Sequence, residues 1–232
     1  MTSTFTAADW QDIRLVTFDV DGTLYRQRPL RLRMGRDMVF HTVEKCDLNA
    51  VRVVSAYRRI RERLAAEEVV DFERILIAET AKATSMSPES VHAIVSEWIE
   101  ARPLRYLGNC LFSGVPQLFA GLRRAGKKIG IFSDYPATEK LAAMGLAAHH
   151  VVAASDVGLL KPDARGLQSL MAAASATASE TLFIGDRADR DGVAGQRAGV
   201  RILIKSSKPI ETFQTFKTFH DPLFDPFMLN RL

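Results

Sequence analysis

The sequence predicts an α/β fold, a parallel sheet with helices on both faces, interrupted after its first strand by an all-helical insertion. Three observations predict it. An apolar run near the N-terminus ends in a polar, glycine-containing turn; the stretch that follows has helical periodicity and no convincing strand; and the remainder alternates strand-length apolar runs with helical patterns.

The first run is Ile13 to Phe18, β-branched and apolar, which meets the polar DVDGTL and so reads as a buried strand ending in a loop. From about Pro29 to Leu107 the apolar residues recur at helical spacing, for example Val51, Val54, Tyr57, Ile60 and Leu64, which predicts three or four helices. Ser87 followed by Pro88 and Glu89 starts the last of them, since serine can cap free amides and proline suits the first helical position; Gly108 marks the exit. Helix Val115 to Arg124, a stop at Gly126 and the strand KIGIFSD open the second half. Further strands are expected at His150 to Ala153, Thr181 to Ile184 and Val200 to Ile204, with helices near Thr138 to Met144, Ala164 to Ala174 and Gly192 to Ala198. Such alternation implies a parallel sheet covered on both faces. The first strand must join that sheet, because a lone buried strand cannot pair its backbone groups. The expected division is therefore a core of residues 1–27 and 108–232, with residues 28–107 inserted.

Composition narrows the class. The 232 residues are 47% hydrophobic and 25% charged, ordinary for a chain that buries a core and far from the composition of disorder. Two cysteines, Cys46 and Cys110, are too few for a disulfide framework and show no metal-type spacing, which fits a reducing cytoplasm. Met1 to Gln11 has no basic start and no apolar run of signal length, and no segment approaches the roughly 18 apolar residues of a membrane helix, so neither export nor membrane association is expected.

In an open parallel sheet, loops beyond the strand C-terminal ends meet in one crevice, so polar residues far apart in sequence can converge there. The first strand ends in Asp19-Val20-Asp21-Gly22-Thr23, the second in Ser133-Asp134, and the fourth is followed by Gly185-Asp186-Arg187-Ala188-Asp189-Arg190-Asp191; Lys161 follows the third. Several carboxylates gathered in one crevice repel one another unless a cation is bound, and oxygen ligands of this kind select a hard divalent ion, magnesium where phosphate is handled. Asp191 reads equally as a cap for the helix that follows it, and Asp189 as a surface turn residue.

DVDGT, the serine after the second strand, KPD and GDRADRD, in this order, resemble the four motifs of the haloacid-dehalogenase-like superfamily, over roughly Ile13 to Lys205. The resemblance implies a Rossmann-like core and an inserted helical cap domain that closes over the site. It implies that Asp19 is a nucleophile phosphorylated in passing, that Asp21 is the general acid and base, and that Ser133 and Lys161 align the phosphate. It also implies a magnesium ion held by the Asp19 carboxylate, the Asp21 backbone carbonyl and the Asp186 carboxylate, with Asp191 supporting them and Thr23 holding the loop. Each role has a chemical reason: a carboxylate is ionised at neutral pH and attacks without a separate base, whereas an alcohol leaving group needs a proton from a second acid nearby. Dehalogenases of the family lack an acid at the place of Asp21, because a departing halide needs no proton. The expected activity is hydrolysis of a small phosphorylated metabolite, with phosphoryl transfer by a mutase, or binding without catalysis, as alternatives.

Between Arg26 and Arg63 eleven basic residues face four acidic ones, an excess of seven that exceeds the whole chain's net +4. Arg28, Arg31, Arg33 and Arg36 are accordingly candidates for a second anionic group on the substrate, as is Asp134 for a contact that sets preference. No nucleic acid is expected as partner, and the chain is expected to be a monomer or homodimer. A phenylalanine-rich tail from Ser206 onward is expected to pack against its own sheet.

Overall fold

A computed structural model describes residues 4–228. The outermost residues of the expected core, 1–3 and 229–232, lie outside the described residues, as does the start of the N-terminal segment from Met1.

Among the described residues six strands form one parallel sheet in the order β3-β2-β1-β4-β5-β6. They are β1 (Leu15–Phe18), β2 (Lys128–Ser133), β3 (His150–Ala153), β4 (Thr181–Gly185), β5 (Arg201–Lys205) and β6 (Thr215–Phe216). All residues of β1 and β4 are buried, and apart from Thr17 and Thr181 they are apolar without alternation, as expected of strands covered on both faces. The chain leaves β1 to one side for β2 and β3 and returns to its other side for β4. The order reverses at β1, and the loops after β1 and β4 part there to leave a crevice.

The insertion consists of α1 (Gln27–Lys45), α2 (Asn49–Ala66), α3 (Phe72–Thr84) and a fourth rod. That rod runs as α4 (Pro88–Val95), one π-helical stretch (Ser96–Ala101) and α5 (Arg102–Leu107). Ser87 does start it, its hydroxyl accepting the Ser90 N–H at 3.2 Å. Val53, Leu64, Phe72, Leu76, Val91 and Trp98 form the insertion's own core. The remaining helices, α6 (Val115–Arg124), α7 (Thr138–Ala143), α8 (Ala154–Val157), α9 (Arg165–Ala174), α10 (Val193–Ala198) and α11 (Asp225–Met228), belong to the sheet. Among the described residues no helix is long and apolar enough to cross a membrane.

Several boundaries differ from the expected ones, each for a local reason. Strand β1 starts at Leu15 and not at Ile13, because Ile13 and Arg14 precede the register with β2 and β4, which opens at Leu15. Val200 closes the helix before it, its N–H reaching the Gly195 carbonyl, so β5 starts one residue later than expected. The helix expected from Gly192 is preceded by a π-helical turn over Ala188–Gly192, where the Arg187 carbonyl accepts the N–H groups of Arg190, Asp191 and Gly192.

The tail packs in cis. Its two-residue strand β6 adds to β5, and Phe216, Phe219, Phe224 and Phe227 are buried beside Phe5 and Trp10, with ring centroids 4.7 to 5.6 Å apart for Trp10–Phe227, Phe216–Phe224, Phe216–Phe219 and Phe219–Phe224. The contact requires glycine at position 121 of α6, where a Cβ would stand 2.1 Å from the Phe227 carbonyl oxygen.

Candidate active site

Strand β1 delivers Asp19 to the crevice, and β4 anchors it, the Ile184 carbonyl accepting the Asp19 N–H at 2.9 Å. Gly22 turns the loop back with φ +104°, a left-handed conformation that glycine adopts without strain; a Cβ there would strike the Asp186 carboxylate. The Thr23 hydroxyl donates to Asp19 Oδ2 at 2.9 Å and fixes the carboxylate's rotation.

Lys161 lies at the centre, 2% exposed, and its ammonium bonds Asp19 Oδ1 at 2.5 Å and Asp191 Oδ1 at 2.6 Å. Burial alone would favour the neutral amine, but Asp19 and Asp191 outweigh it and raise the lysine's pKa. The other oxygen of Asp191 accepts the N–H groups of Asp186 and Arg187, at 3.1 and 2.9 Å. Asp191 therefore braces the turn before it and orients Lys161; it does not cap the helix after it. Asp189 lies exposed and pairs with Arg187 at 2.8 Å.

Asp21 has partners that the sequence does not announce. Lys140 of α7 donates to both of its oxygens, each at 2.8 Å, and the Tyr25 hydroxyl donates to Oδ1. Burial would raise the Asp21 pKa, but Lys140 and then Tyr25 more than offset it and hold the carboxyl below its ordinary range. The same burial, together with the Asp21 charge, pushes the Tyr25 phenol far up, so it remains a donor. Tyr25 follows Asp21 by four residues and carries a faint signal in the motif itself. Lys140 carries none, since a lysine on a short helix reads as solvated.

Asp186 is different: among the described residues its carboxylate accepts no hydrogen bond. Burial first, then the like charge of Asp191, pushes its pKa up to about 7. Burial and the neighbouring carboxylates likewise raise Asp19 well above the usual range, against the pull of Lys161. When all four are ionised, the carboxylates of Asp19, Asp21, Asp186 and Asp191 exceed the two ammonium groups of Lys140 and Lys161 by two negative charges, and Asp186 touches neither ammonium. One oxygen from each of Asp19, Asp186 and Asp191 lies within 4.8 Å of the others, which fits a small divalent cation held by oxygen. The Asp21 carbonyl, already accepting from Gln27 Nε2, keeps a second lone pair for the same ion.

This charge has a measurable consequence without any ligand. The folded protein keeps a proton on Asp186 to about pH 7, whereas the unfolded chain releases it near pH 4. Between those values the folded state binds more protons, so stability falls as pH rises. In cation-free protein Asp186→Asn is expected to raise Tm at pH 8 by roughly 5 °C or more and to change it little at pH 4. Melting curves across this range test it; a pH-independent difference would refute the assignment.

The cap closes the crevice through α2. Arg61 donates to the Asp134 carbonyl and stacks over the Tyr135 ring at 3.9 Å, while Glu62 receives Arg187 and Arg190, each at 2.9 Å. Between cap and sheet remains a cavity of about 600 Å³ that reaches Asp19, Asp21, Lys161 and Asp186.

The other expected contacts divide. Arg31 and Asp134 line the cavity. The Asp134 carboxylate is engaged by the Lys161 N–H at 3.2 Å and steadies that loop. Arg28 is exposed outside the cavity, Arg36 lies beside Asp37, and Arg33 is turned to Cys110 and the Tyr106 ring. The reason is helical phase: Gln27, Arg31, Met34 and Met38 share one face of α1, and Arg28 and Arg33 lie about a quarter turn or more away. Ser133 is fully buried at the end of β2, its hydroxyl accepting the Tyr135 N–H at 3.3 Å; it shapes the turn and does not line the cavity.

Residues 13–199 match the family model described as haloacid dehalogenase-like hydrolase. The structure is similar to a 2-haloacid dehalogenase from Pseudomonas syringae pv. Tomato DC3000, with a TM-score of 0.62, 21% identity, and 89% of this chain and 95% of that one covered. It is also similar to a HAD phosphatase from Thermococcus onnurineus (TM-score 0.57, 18% identity, 89% and 94% covered) and to a β-phosphoglucomutase from Clostridium difficile (0.63, 14%, 92% and 94%). These likenesses bear on the fold. No curated protein matches the sequence.

Proposed function

This chain belongs to the haloacid dehalogenase-like hydrolases, and on that premise we propose that it is a magnesium-dependent phosphatase of a small phosphorylated metabolite, working through a phosphorylated Asp19. The observation that supports this over dehalogenation is Asp21. A second carboxylate, held in place by Lys140 and Tyr25 and opening on the same cavity as Asp19, has no task when the leaving group is a halide. It has one when an alcohol must receive a proton.

Asp19 attacks phosphorus, an Asp19 oxygen–phosphorus bond forms and the bond to the ester oxygen breaks. Lys161 and Thr23 hold the attacking carboxylate in one rotamer. Asp21 is held as a carboxylate by Lys140 and Tyr25; an arriving phosphate adds negative charge beside it, which raises its affinity for the proton it passes to the departing alkoxide. As carboxylate it then takes a proton from the water that attacks phosphorus, and free phosphate and Asp19 are regenerated. The carboxylates of Asp19 and Asp186 and the carbonyl of Asp21 are the groups that would hold magnesium, with Asp191 behind them. When bound, the ion neutralises the charge shared between carboxylate and phosphoryl oxygens.

The experiment is a panel of phosphomonoesters and 2-haloacids with magnesium. Release of phosphate and alcohol in equal amounts, without halide, is the expected result. Halide release, or phosphoryl transfer to a second sugar phosphate without free phosphate, would overturn the reading.

A further inference from the structure

The cavity holds far more than a phosphate group, and its walls differ in chemistry from its floor. About 600 Å³ is the size of a pocket for an organic ligand. The floor carries the carboxylates and lysines described above. The cap side presents Leu30, Met34 and Met38 from α1, Val54 from α2, and Trp98 and Ile99 from the fourth rod. Met34 and Met38 are half-buried and pack on the apolar core of the insertion.

Most polar groups on that side are already engaged. Gln27 bonds the Asp21 carbonyl and Arg31, Arg61 bonds the Asp134 carbonyl, and Glu62 is taken by Arg187 and Arg190. A sugar or other polyol would lose water from several hydroxyls here and find few partners in return, which weakens binding sharply. An apolar group would remove its own surface and the wall's from water together. The exposed cations that line the cavity, Arg31 and Arg58, suit attraction of an anionic ester and not the sorting of neutral hydroxyls.

We infer that the substrate is the phosphate monoester of an apolar alcohol, alkyl or aryl, whose body lies against Met34, Met38, Val54 and Trp98. The inference rests on the phosphatase reading for the phosphate but on the cap wall for the body, and binding separates the two. Asp19→Asn protein is titrated by calorimetry with alkylphosphonates from methyl to octyl and with a sugar phosphate. Affinity is expected to rise about threefold to fourfold per methylene until the cavity is filled, and the sugar phosphate is expected to bind more weakly than the alkylphosphonate of equal size. In kinetics with magnesium, the ratio of kcat/KM for hexyl over ethyl phosphate follows the same trend. Met34→Gln and Met38→Gln, at half-buried positions that leave the fold intact, are expected to lower that ratio tenfold or more, and Met34→Leu to restore most of it. Affinity independent of chain length, or a preference for the sugar phosphate, would overturn the inference while phosphate release upheld the phosphatase. Steep chain-length dependence in binding without any hydrolysis would do the reverse.

Discussion

Asp19→Asn is expected to abolish phosphate release, lowering kcat on the order of 10⁴-fold or more. An amide oxygen is a poor nucleophile, and no other carboxylate stands in its place: Asp191 is held by Lys161 and two backbone N–H groups, and Asp21 by Lys140 and Tyr25. The variant is expected to fold. Asparagine keeps the shape of the side chain, its carbonyl can accept from Lys161, and its amide can donate to the Thr23 hydroxyl. Circular dichroism and a melting curve separate lost chemistry from lost structure. Wild type and variant releasing phosphate at the same slow rate would remove Asp19 from the reaction.

Asp21→Asn is expected to act through the leaving group. With an alkyl phosphate, whose alkoxide cannot depart unprotonated, kcat should fall about 10²- to 10⁴-fold. With an aryl phosphate bearing a good leaving group the first transfer needs little help, so the variant should phosphorylate Asp19 and then stall, because the attacking water lacks its base. The signature is a burst of phenol equal to the enzyme concentration, followed by slow turnover. An equal loss on both ester types, with no burst, would mean that Asp21 matters for binding or for holding the loop and not for moving a proton. The pairing with Lys140 makes this test informative, since it holds Asp21 below the usual carboxylate range before substrate arrives.

Much of the fold was legible because burial on both faces writes a continuous apolar run into the sequence. Strands β2 and β4 fall within a residue of their expected ends for this reason, while the half-buried edge strand β3 matches its expected ends through the β-branched pair Val151 and Val152. Helix ends were less legible, because they depend on which backbone carbonyl wins a given N–H. The π-helical turn before α10 exists because Arg187 takes three of them, and no residue pattern marks that. The motif residues Asp19, Lys161, Asp186 and Asp191 were legible through their positions after strands, and the structure gathers them. Ser133 and Arg33, expected to meet a substrate, do not line the cavity. The first is buried under its own turn, and the second lies on the wrong side of α1.

The sequence by itself determined the sheet, the helical insertion and the carboxylates at its strand ends, because hydrophobic periodicity and the crevice of a parallel sheet are local rules repeated along the chain. Only the tertiary structure decided which cations meet which carboxylates, that Lys140 secures Asp21, and that the cap turns an apolar wall toward the site. Those outcomes depend on the rotation of one helix against another and on distances between residues more than a hundred positions apart. An ion pair forms where such distances close to about 3 Å, and sequence spacing does not encode that closure.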